Sequence, residues 1–207
     1  MKKTFLQRFF LPLCMLTLFG MLGESHAWAE SKTVTYKVTS TTAASASGTA
    51  PTGSSATYSS TYDTKEQLTS GNTMTLTLSG FAGMKLTGLT LSMKSNTKKG
   101  SGYLDVKAGK TQLATIGSST SGVAFKDKAW HGSYTTSYVD VNVTLTPYTV
   151  QAGEKIAIII GATVNSLYCQ SFTLTYEEGA STPLANRNLA FSEPAVDVFG
   201  SSVDAPT

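Results

Sequence analysis

The chain has little of what catalysis and covalent cross-linking require. Its 207 residues include two cysteines and two histidines, and charged residues make up 14%. Cys14 and His26 lie within the first 29 residues, which leaves Cys169 and His131. A single thiol forms no disulfide within the chain, so an apolar core has to stabilise the fold. Zinc spacings, phosphate-binding loops and calcium-loop motifs are missing, so we predict no cofactor and no metal site. The sequence leaves open whether backbone carbonyls and one acidic side chain bind a calcium ion.

Long apolar runs are also missing beyond the N-terminus. The chain starts with Lys2 and Lys3, continues with an apolar stretch from Phe9 to Leu22, and then reads Ala27-Trp28-Ala29. A basic head, a short apolar run and small residues at its exit are typical of a secretory signal. The run is shorter than the roughly 20 residues that a membrane helix needs. We therefore predict a signal peptide over residues 1–29 and a secreted or cell-surface mature chain without a transmembrane segment.

An excess of charge of either sign is absent from this predicted mature chain. Lys2, Lys3, Arg8 and Glu24 precede position 30, so 13 basic and 12 acidic residues remain. Nucleic-acid binding needs clustered lysine and arginine, and no such cluster occurs. The composition therefore argues against a nucleic-acid partner.

Alternation of apolar and polar residues is abundant from Thr33 to Tyr176. Met74, Leu76 and Leu78 share one face of an extended segment, with threonines on the other. This period of two is typical of strands with one buried face, and no stretch has a convincing helical period. We count eight or nine strands and predict an all-β domain over residues 30–178, a two-sheet antiparallel β-sandwich that is jelly-roll-like. The same alternation occurs in residues 89–93, 104–107, 138–145 and 172–176.

Two segments within this domain have a special composition. From Thr39 to Ser60, every residue but Pro51 and Tyr58 is Ser, Thr, Ala or Gly. This segment is either a flexible surface loop or an ordered edge anchored by Tyr58 and Tyr62. The run from Ile156 to Ile160 is apolar throughout, which predicts a strand buried on both sides.

The sequence beyond residue 178 differs in composition from the alternating region. Residues 179–188 are rich in small polar residues and proline, and we interpret them as a linker. Residues 189–207 include Leu189-Ala-Phe-Ser-Glu-Pro-Ala-Val-Asp-Val-Phe and Asp204-Ala-Pro-Thr, which resemble the opening of bacterial Ig-like (group 2) domains. Nineteen residues fall short of a sandwich domain of about 100 residues, so we interpret them as an incomplete start.

A longer resemblance covers residues 58–176. The matching sequence segments are similar to an N-terminal β-module of secreted multidomain proteins from Gram-negative gut and oral anaerobes. The resemblance implies architecture and location, and it brings no catalytic residue with it. The matching stretches are Thr75–Ser79, Leu89–Asn96, Thr135–Val141 and Asn165–Phe172.

Aromatic side chains supply the candidate ligand-binding residues. The loop from Phe125 to Tyr134 contains Trp130, His131 and Tyr134, whose flat rings and polar edges suit a sugar ring or a protein partner. The alternative for Trp130 is that it caps one end of the core. Tyr103 and Tyr138 fall on strand faces that the alternation assigns to solvent, and they are further candidates.

The inventory argues against an enzyme. Nothing in the spacing connects Cys169 with His131 as nucleophile and base, and the acidic residues are scattered. We therefore expect no catalytic residue, and a non-catalytic binding or adhesion module whose partner is a carbohydrate or a surface protein. The alternative is a structural spacer, or an appended domain of a longer secreted enzyme or adhesin. The sequence leaves the oligomeric state open.

Overall fold

The computed structural model describes residues 30–178, and this part of the chain is all-β. It contains twelve strands and no helix, because apolar residues recur at every second position and not at helical spacing. The strands are β1 (Ser31–Val38), β2 (Ala44–Gly48), β3 (Ser55–Ser60), β4 (Gln67–Leu68), β5 (Thr73–Ser79), β6 (Met84–Lys94), β7 (Ser101–Ala108), β8 (Thr111–Ile116), β9 (Val123–Ala124), β10 (Val139–Thr149), β11 (Ile156–Val164) and β12 (Leu167–Glu178).

The strands form two six-stranded antiparallel sheets. Sheet A has the order β10-β6-β12-β1-β2, and β4 pairs with one end of β12. Sheet B has the order β3-β5-β11-β7-β8, and β9 pairs with the first residues of β7. The predicted two-sheet β-sandwich is therefore confirmed.

The strand pairing is that of a jelly roll. The first long strand pairs with the last (β1 with β12), and inside that pair come β5 with β11, β6 with β10, and β7 with β8. Folding such a nested set of pairs over itself places alternate pairs in opposite sheets, which gives the eight-stranded jelly roll. Strands β2 and β3 are inserted between β1 and β5, and each forms an edge of one sheet.

The core lies between the sheets, where the predicted apolar faces meet. Leu76 and Ile158 from sheet B and Leu91 and Phe172 from sheet A are fully buried. Burial of one such side chain contributes about 1.5–3 kcal/mol, and many neighbours along each strand repeat the arrangement. Threonines and serines between them face solvent, in agreement with the alternation.

The segment from Thr39 to Ser60 is ordered and contains both inserted edge strands. The Tyr58 side chain of β3 is 4% exposed, and its ring centre lies 6.3 Å from that of Phe172 in the opposite sheet. The Tyr58 hydroxyl donates a hydrogen bond of 3.0 Å to the carbonyl oxygen of Lys65. Of the two possibilities that the sequence left open, the structure has the ordered edge.

Strand β11 departs from its prediction. Ile156, Ile158 and Ile160 are buried, but Ala157 and Ile159 are half-buried on the outer face of sheet B. Neighbouring side chains shield Ala157 and Ile159 only in part. The outer side of β11 is therefore a shallow apolar strip, and the candidate site lies beside it.

The remaining domain boundaries lie outside the described residues. The predicted signal peptide (1–29), linker (179–188) and Ig-like start (189–207) stay predictions. Residues 30–178 hold no helix with the length and apolar character that a membrane crossing requires.

Candidate functional site

Trp130 lies in the core and not on the surface. Its side chain is 3% exposed, and its ring centre lies 6.4 Å from that of Phe125. The indole N–H donates a hydrogen bond of 3.1 Å to the carbonyl oxygen of Val123, so the polar edge of the ring is also used internally. In this position the ring closes one end of the core, which is the alternative role that the sequence suggested. It offers no ring face to a ligand.

His131 and Tyr134 are half-buried and held by protein contacts. The imidazole of His131 stacks on Phe125 with 6.1 Å between ring centres and 16° between planes. Its Nδ1 lies 3.1 Å from the hydroxyl oxygen of Ser133. The Tyr134 hydroxyl donates to the carbonyl oxygen of Asn96 at 3.0 Å. These contacts fix the loop against the ends of the sheets.

Tyr138 is part of a cation–π group beside the start of β10. Lys94 Nζ lies 4.5 Å from the ring centre of Tyr138 and 5.0 Å from that of Tyr168. The Tyr138 hydroxyl donates to Glu66 Oε2 at 2.7 Å. Burial, and then the hydrogen bond to Glu66, raise the pKa of Tyr138 above its usual range. The hydroxyl is therefore neutral at physiological pH and committed to an internal acceptor.

Asn96 connects Tyr134 with this group, because its Nδ2 donates to the Tyr168 hydroxyl at 3.0 Å. We call Tyr134, Asn96, Tyr168, Lys94 and Tyr138 the end cluster. The structure thus brings together two of the predicted site residues, Tyr134 and Tyr138. The end cluster is a structural tie between β6, β12 and the loop before β10, held by two hydrogen bonds of Asn96 and by the contacts of Lys94 with two tyrosine rings.

Tyr103 lies elsewhere, on the outer face of sheet B. In the pairing of β7 with β11, Tyr103 stands opposite Gly161. A β-carbon on Gly161 would overlap Cε1 of Tyr103 and lie 2.8 Å from its hydroxyl oxygen. The outer half of the ring therefore occupies the space that a side chain at position 161 would fill. Gly161 thus allows the ring to lie across the neighbouring strand.

An open cavity of about 350 Å³ adjoins this ring. Its apolar side is formed by Tyr103 and by Ile159 of the half-buried strip on β11. Its polar side is formed by Asp105, Gln112 and the hydroxyls of Ser118 and Ser119, among others. The volume is near the lower end of the range for small-ligand sites.

The polar side of this cavity is held in place by a small network. Lys107 Nζ lies 2.8 Å from Asp105 Oδ2, and Gln112 Nε2 donates to Asp105 Oδ1 at 2.7 Å. Gln112 Nε2 also lies within bonding distance of the carbonyl oxygens of Val106 and Ala114. The hydrogen bonds that Gln112 makes to the other described residues all use its Nε2, so its Oε1 is available as an acceptor. The cavity therefore has a fixed carboxylate and a fixed amide beside an aromatic ring.

Sequence reasoning identified Tyr103 but missed its neighbours. The alternation placed Tyr103 and Asp105 on the same outward face, which was the available signal. Gln112 and Gly161 are distant in sequence and reach the site only through the register of β7 with β8 and β11. That register cannot be read from one strand alone.

The groups considered for catalysis are kept apart. Cys169 is fully buried, and burial raises the pKa of its thiol far above its ordinary value. A thiol in this state is a poor nucleophile. The imidazole of His131 contacts Ser133 and Phe125, as described above, and not Cys169. Among residues 30–178 there is also no group of three or more His, Cys, Asp or Glu side chains that could hold a metal ion.

Comparison with known proteins gives no family. No protein-family model matches the chain, and no curated protein matches it. Among solved structures, a family two carbohydrate esterase from Cellvibrio japonicus is similar at 12% identity and a TM-score of 0.31. The similar part covers 70% of this chain and 34% of that one, so the chain spans about a third of the length of that structure. A likeness at this level says nothing about the activity of the present chain.

Proposed function

We propose that this protein is an exported, non-catalytic binding module that holds a carbohydrate on the outer face of sheet B, in the cavity beside Tyr103. The observation that carries the proposal is the combination of an outward-facing aromatic ring with a fixed carboxylate and a fixed amide in one open cavity. Trp130, His131, Tyr134 and Tyr138 make internal contacts and serve mainly to position loops.

The chemistry of this cavity suits a sugar ring. A sugar has an apolar C–H face and a rim of hydroxyls that both donate and accept hydrogen bonds. The Tyr103 ring and Ile159 supply apolar surface, and Asp105 and the Gln112 Oε1 supply acceptors. Because Lys107 and Gln112 already fix the carboxylate, little conformational entropy is lost when a ligand binds.

The proposed location follows from the N-terminal sequence. A signal peptide over residues 1–29 would deliver the domain to the exterior or the cell surface, where glycans and surface proteins are the available partners. The resemblance to N-terminal modules of secreted proteins from gut and oral anaerobes supports the same setting. The alternative is a spacer, or an appended domain of a longer secreted protein, which the linker-like residues 179–188 favour.

The test is glycan-array binding by the mature chain and by two variants. Tyr103→Ala removes the ring, and we expect the signal on the bound glycan to weaken about tenfold or more, equivalent to roughly 1.4 kcal/mol. Tyr168→Ala is the matched control, because Tyr168 is a half-buried tyrosine on the outer face of the other sheet. This control should bind like the wild type.

Two results would contradict the proposal. Absence of glycan binding by the wild type would favour the spacer. Binding that survives Tyr103→Ala but is lost in Tyr168→Ala would move the site to the end cluster on the opposite sheet.

A further inference from the structure

A second cavity adjoins the first on the same side of sheet B. It has a volume of about 430 Å³ and lies where β11 ends and β7 begins. Ser119 lines both cavities, and Ala162 and Val164 of β11 line the second as Ile159 lines the first. The two cavities therefore meet at Ser119, and together they form one depression beside residues 159–164 of β11.

The loop of residues 117–122 forms a fixed wall along this depression. Gly117 has a φ of 59°, and a β-carbon there would lie 2.8 Å from the Ser121 carbonyl oxygen. At the other end, a β-carbon on Gly122 would overlap Oγ1 of Thr163, so the loop packs directly on β11. Between the glycines, Ser118 and Ser121 exchange backbone hydrogen bonds of 2.9 and 3.2 Å. The wall thus presents hydroxyl groups to both cavities from a closed turn.

Val164 provides the apolar contact of the second cavity. It is 48% exposed, and it is the large hydrophobic side chain that the described residues leave exposed. Around it, Ser70, Ser101 and Thr163 contribute hydroxyls, and the Ser70 hydroxyl donates to the Thr163 carbonyl oxygen at 2.7 Å. A lone apolar patch among hydroxyls repeats the mixed character of the first cavity.

The charges in this depression define the kind of ligand. Asp105 is the charged residue of the first cavity, and it is already paired with Lys107. Among the described residues, the side chains around the second cavity are those of serine, threonine, alanine and valine, so they bring no charged group to it. An acidic or basic ligand would find no opposite charge there to offset the loss of its hydration. An uncharged ligand rich in hydroxyls has no such cost.

The length of the depression exceeds one sugar ring. From Ile159 to Val164 the strand advances five residues, or roughly 16 Å at about 3.3 Å per residue. A six-membered ring with bonds of about 1.5 Å spans well under half of this distance, even with its hydroxyls. Each cavity alone has the volume of a site for one small ligand.

We infer that the two cavities form one groove that binds a linear, uncharged oligosaccharide, with one sugar unit beside Tyr103 and a later unit against Val164. This inference rests on the proposed carbohydrate site and adds the class of glycan and its path along β11. Ser119 lies at the junction of the two cavities, where the linkage between units would pass.

The test measures the Kd of a chain-length series by isothermal titration calorimetry. The probes are neutral oligomers of glucose, xylose, mannose and galactose, from the monosaccharide to the hexamer. For the wild type we expect affinity to rise about tenfold or more between the shortest bound sugar and the longer oligomers. If no monosaccharide binds, the shortest oligomer that binds serves as the reference.

Two variants separate the two cavities. Val164→Asp places a charge in the second cavity, and it should weaken binding of long oligomers about tenfold while leaving the shortest bound sugar within about twofold of wild type. Tyr103→Ala should weaken binding at every length. Thr144→Asp is the charge-matched control on the exposed outer face of sheet A. It should change the affinity for neither short nor long sugars. Val164→Ser replaces Val164→Asp if the latter shows a lower melting temperature.

The outcomes distinguish the inference from the proposed function. Equal affinity of the wild type for short and long sugars would overturn the groove and leave the single-sugar site standing. The same conclusion would follow if Tyr103→Ala abolished the binding of long oligomers and Val164→Asp left it unchanged. Failure of every neutral and acidic sugar to bind would overturn both the groove and the carbohydrate site. Tighter binding of acidic oligomers of galacturonic acid than of neutral ones would overturn the inferred class of ligand.

Discussion

Trp130 and Tyr103 are both aromatic residues of sheet B and its loops, but we expect their substitution by alanine to lower the free energy of unfolding by different amounts. Trp130 is buried against Phe125 with its N–H bonded to Val123, whereas Tyr103 lies on the outer face. We expect Trp130→Ala to lower the free energy of unfolding by about 3–5 kcal/mol, because it leaves a cavity and an unpaired carbonyl. The measurement is urea denaturation followed by circular dichroism.

The comparison variants make this expectation specific. Trp130→Phe keeps most of the ring volume and should lose clearly less stability than Trp130→Ala. Tyr103→Ala should stay within about 1 kcal/mol of wild type, as is usual for surface positions. A Trp130→Ala variant as stable as the wild type would mean that the ring does not close the core. It follows that loss of glycan binding in Trp130→Ala would report unfolding and not a lost contact.

At the scale of single elements, the edge strand β3 depends on one side chain. Tyr58 crosses the interior to Phe172 and bonds to the Lys65 carbonyl oxygen, while most of the other residues of β3 are small and exposed. We expect Tyr58→Ala to lower the unfolding free energy by about 3 kcal/mol or more. Amide hydrogen exchange should show lost protection in residues 55–60 first, with β11 still protected.

Thr57→Ala is the control for this experiment, since Thr57 is an exposed neighbour on the same strand. It should change stability by less than about 0.5 kcal/mol and leave the exchange pattern of β3 unchanged. Uniform loss of protection in both sheets after Tyr58→Ala would show instead that β3 unfolds only together with the whole domain.

The elements that sequence could predict are those with large apolar residues at every second position. In β5, β6 and β12 the alternation alone decides which side chains enter the core, so faces and approximate bounds follow directly. Strand β2 reads Ala-Ser-Ala-Ser-Gly and carries no such signal. Strand β2 is ordered because it pairs with β1, and composition does not show such a tertiary contact.

The same limit applied to the candidate site. Alternation placed Tyr103 on an outward face, but the cavity beside it requires Gly161 from β11 and Gln112 from β8. For Trp130, the choice between ligand contact and core cap depended on where a long loop folds back. One sequence does not contain that information, because either role needs the same large aromatic side chain.

At the scale of the whole molecule, buried phenols and one buried thiol set the response to pH. Burial raises the pKa of Tyr36 from 10.0 to about 12 and raises those of Tyr58, Tyr176 and Cys169 as well. The ion pairs of the described residues are at the surface and contribute little. We therefore expect alkaline pH, and not mild acid, to destabilise the domain.

The direction in which the unfolding free energy changes with pH follows from proton binding in the folded and unfolded states. Below about pH 8 these groups are neutral in both states, and their effect on stability is constant. As pH rises through 10, the unfolded chain loses phenolic protons while the folded chain keeps that of Tyr36 until about pH 12. The unfolded state then binds fewer protons, so the unfolding free energy falls, by up to about 1.4 kcal/mol per pH unit for each such group.

Urea midpoints measured from pH 6 to pH 12 test this expectation, with Tyr36→Phe as the matched variant. The wild-type midpoint should be level to about pH 8 and then fall, and the phenylalanine variant should fall less steeply above pH 10 because it has no proton to lose at position 36. Parallel curves for the two proteins above pH 10 would mean that Tyr36 ionises as readily in the folded domain as in the unfolded chain. The space between the two sheets would then be open to water at that tyrosine, because only a dry interior holds a phenol neutral two pH units above its ordinary pKa.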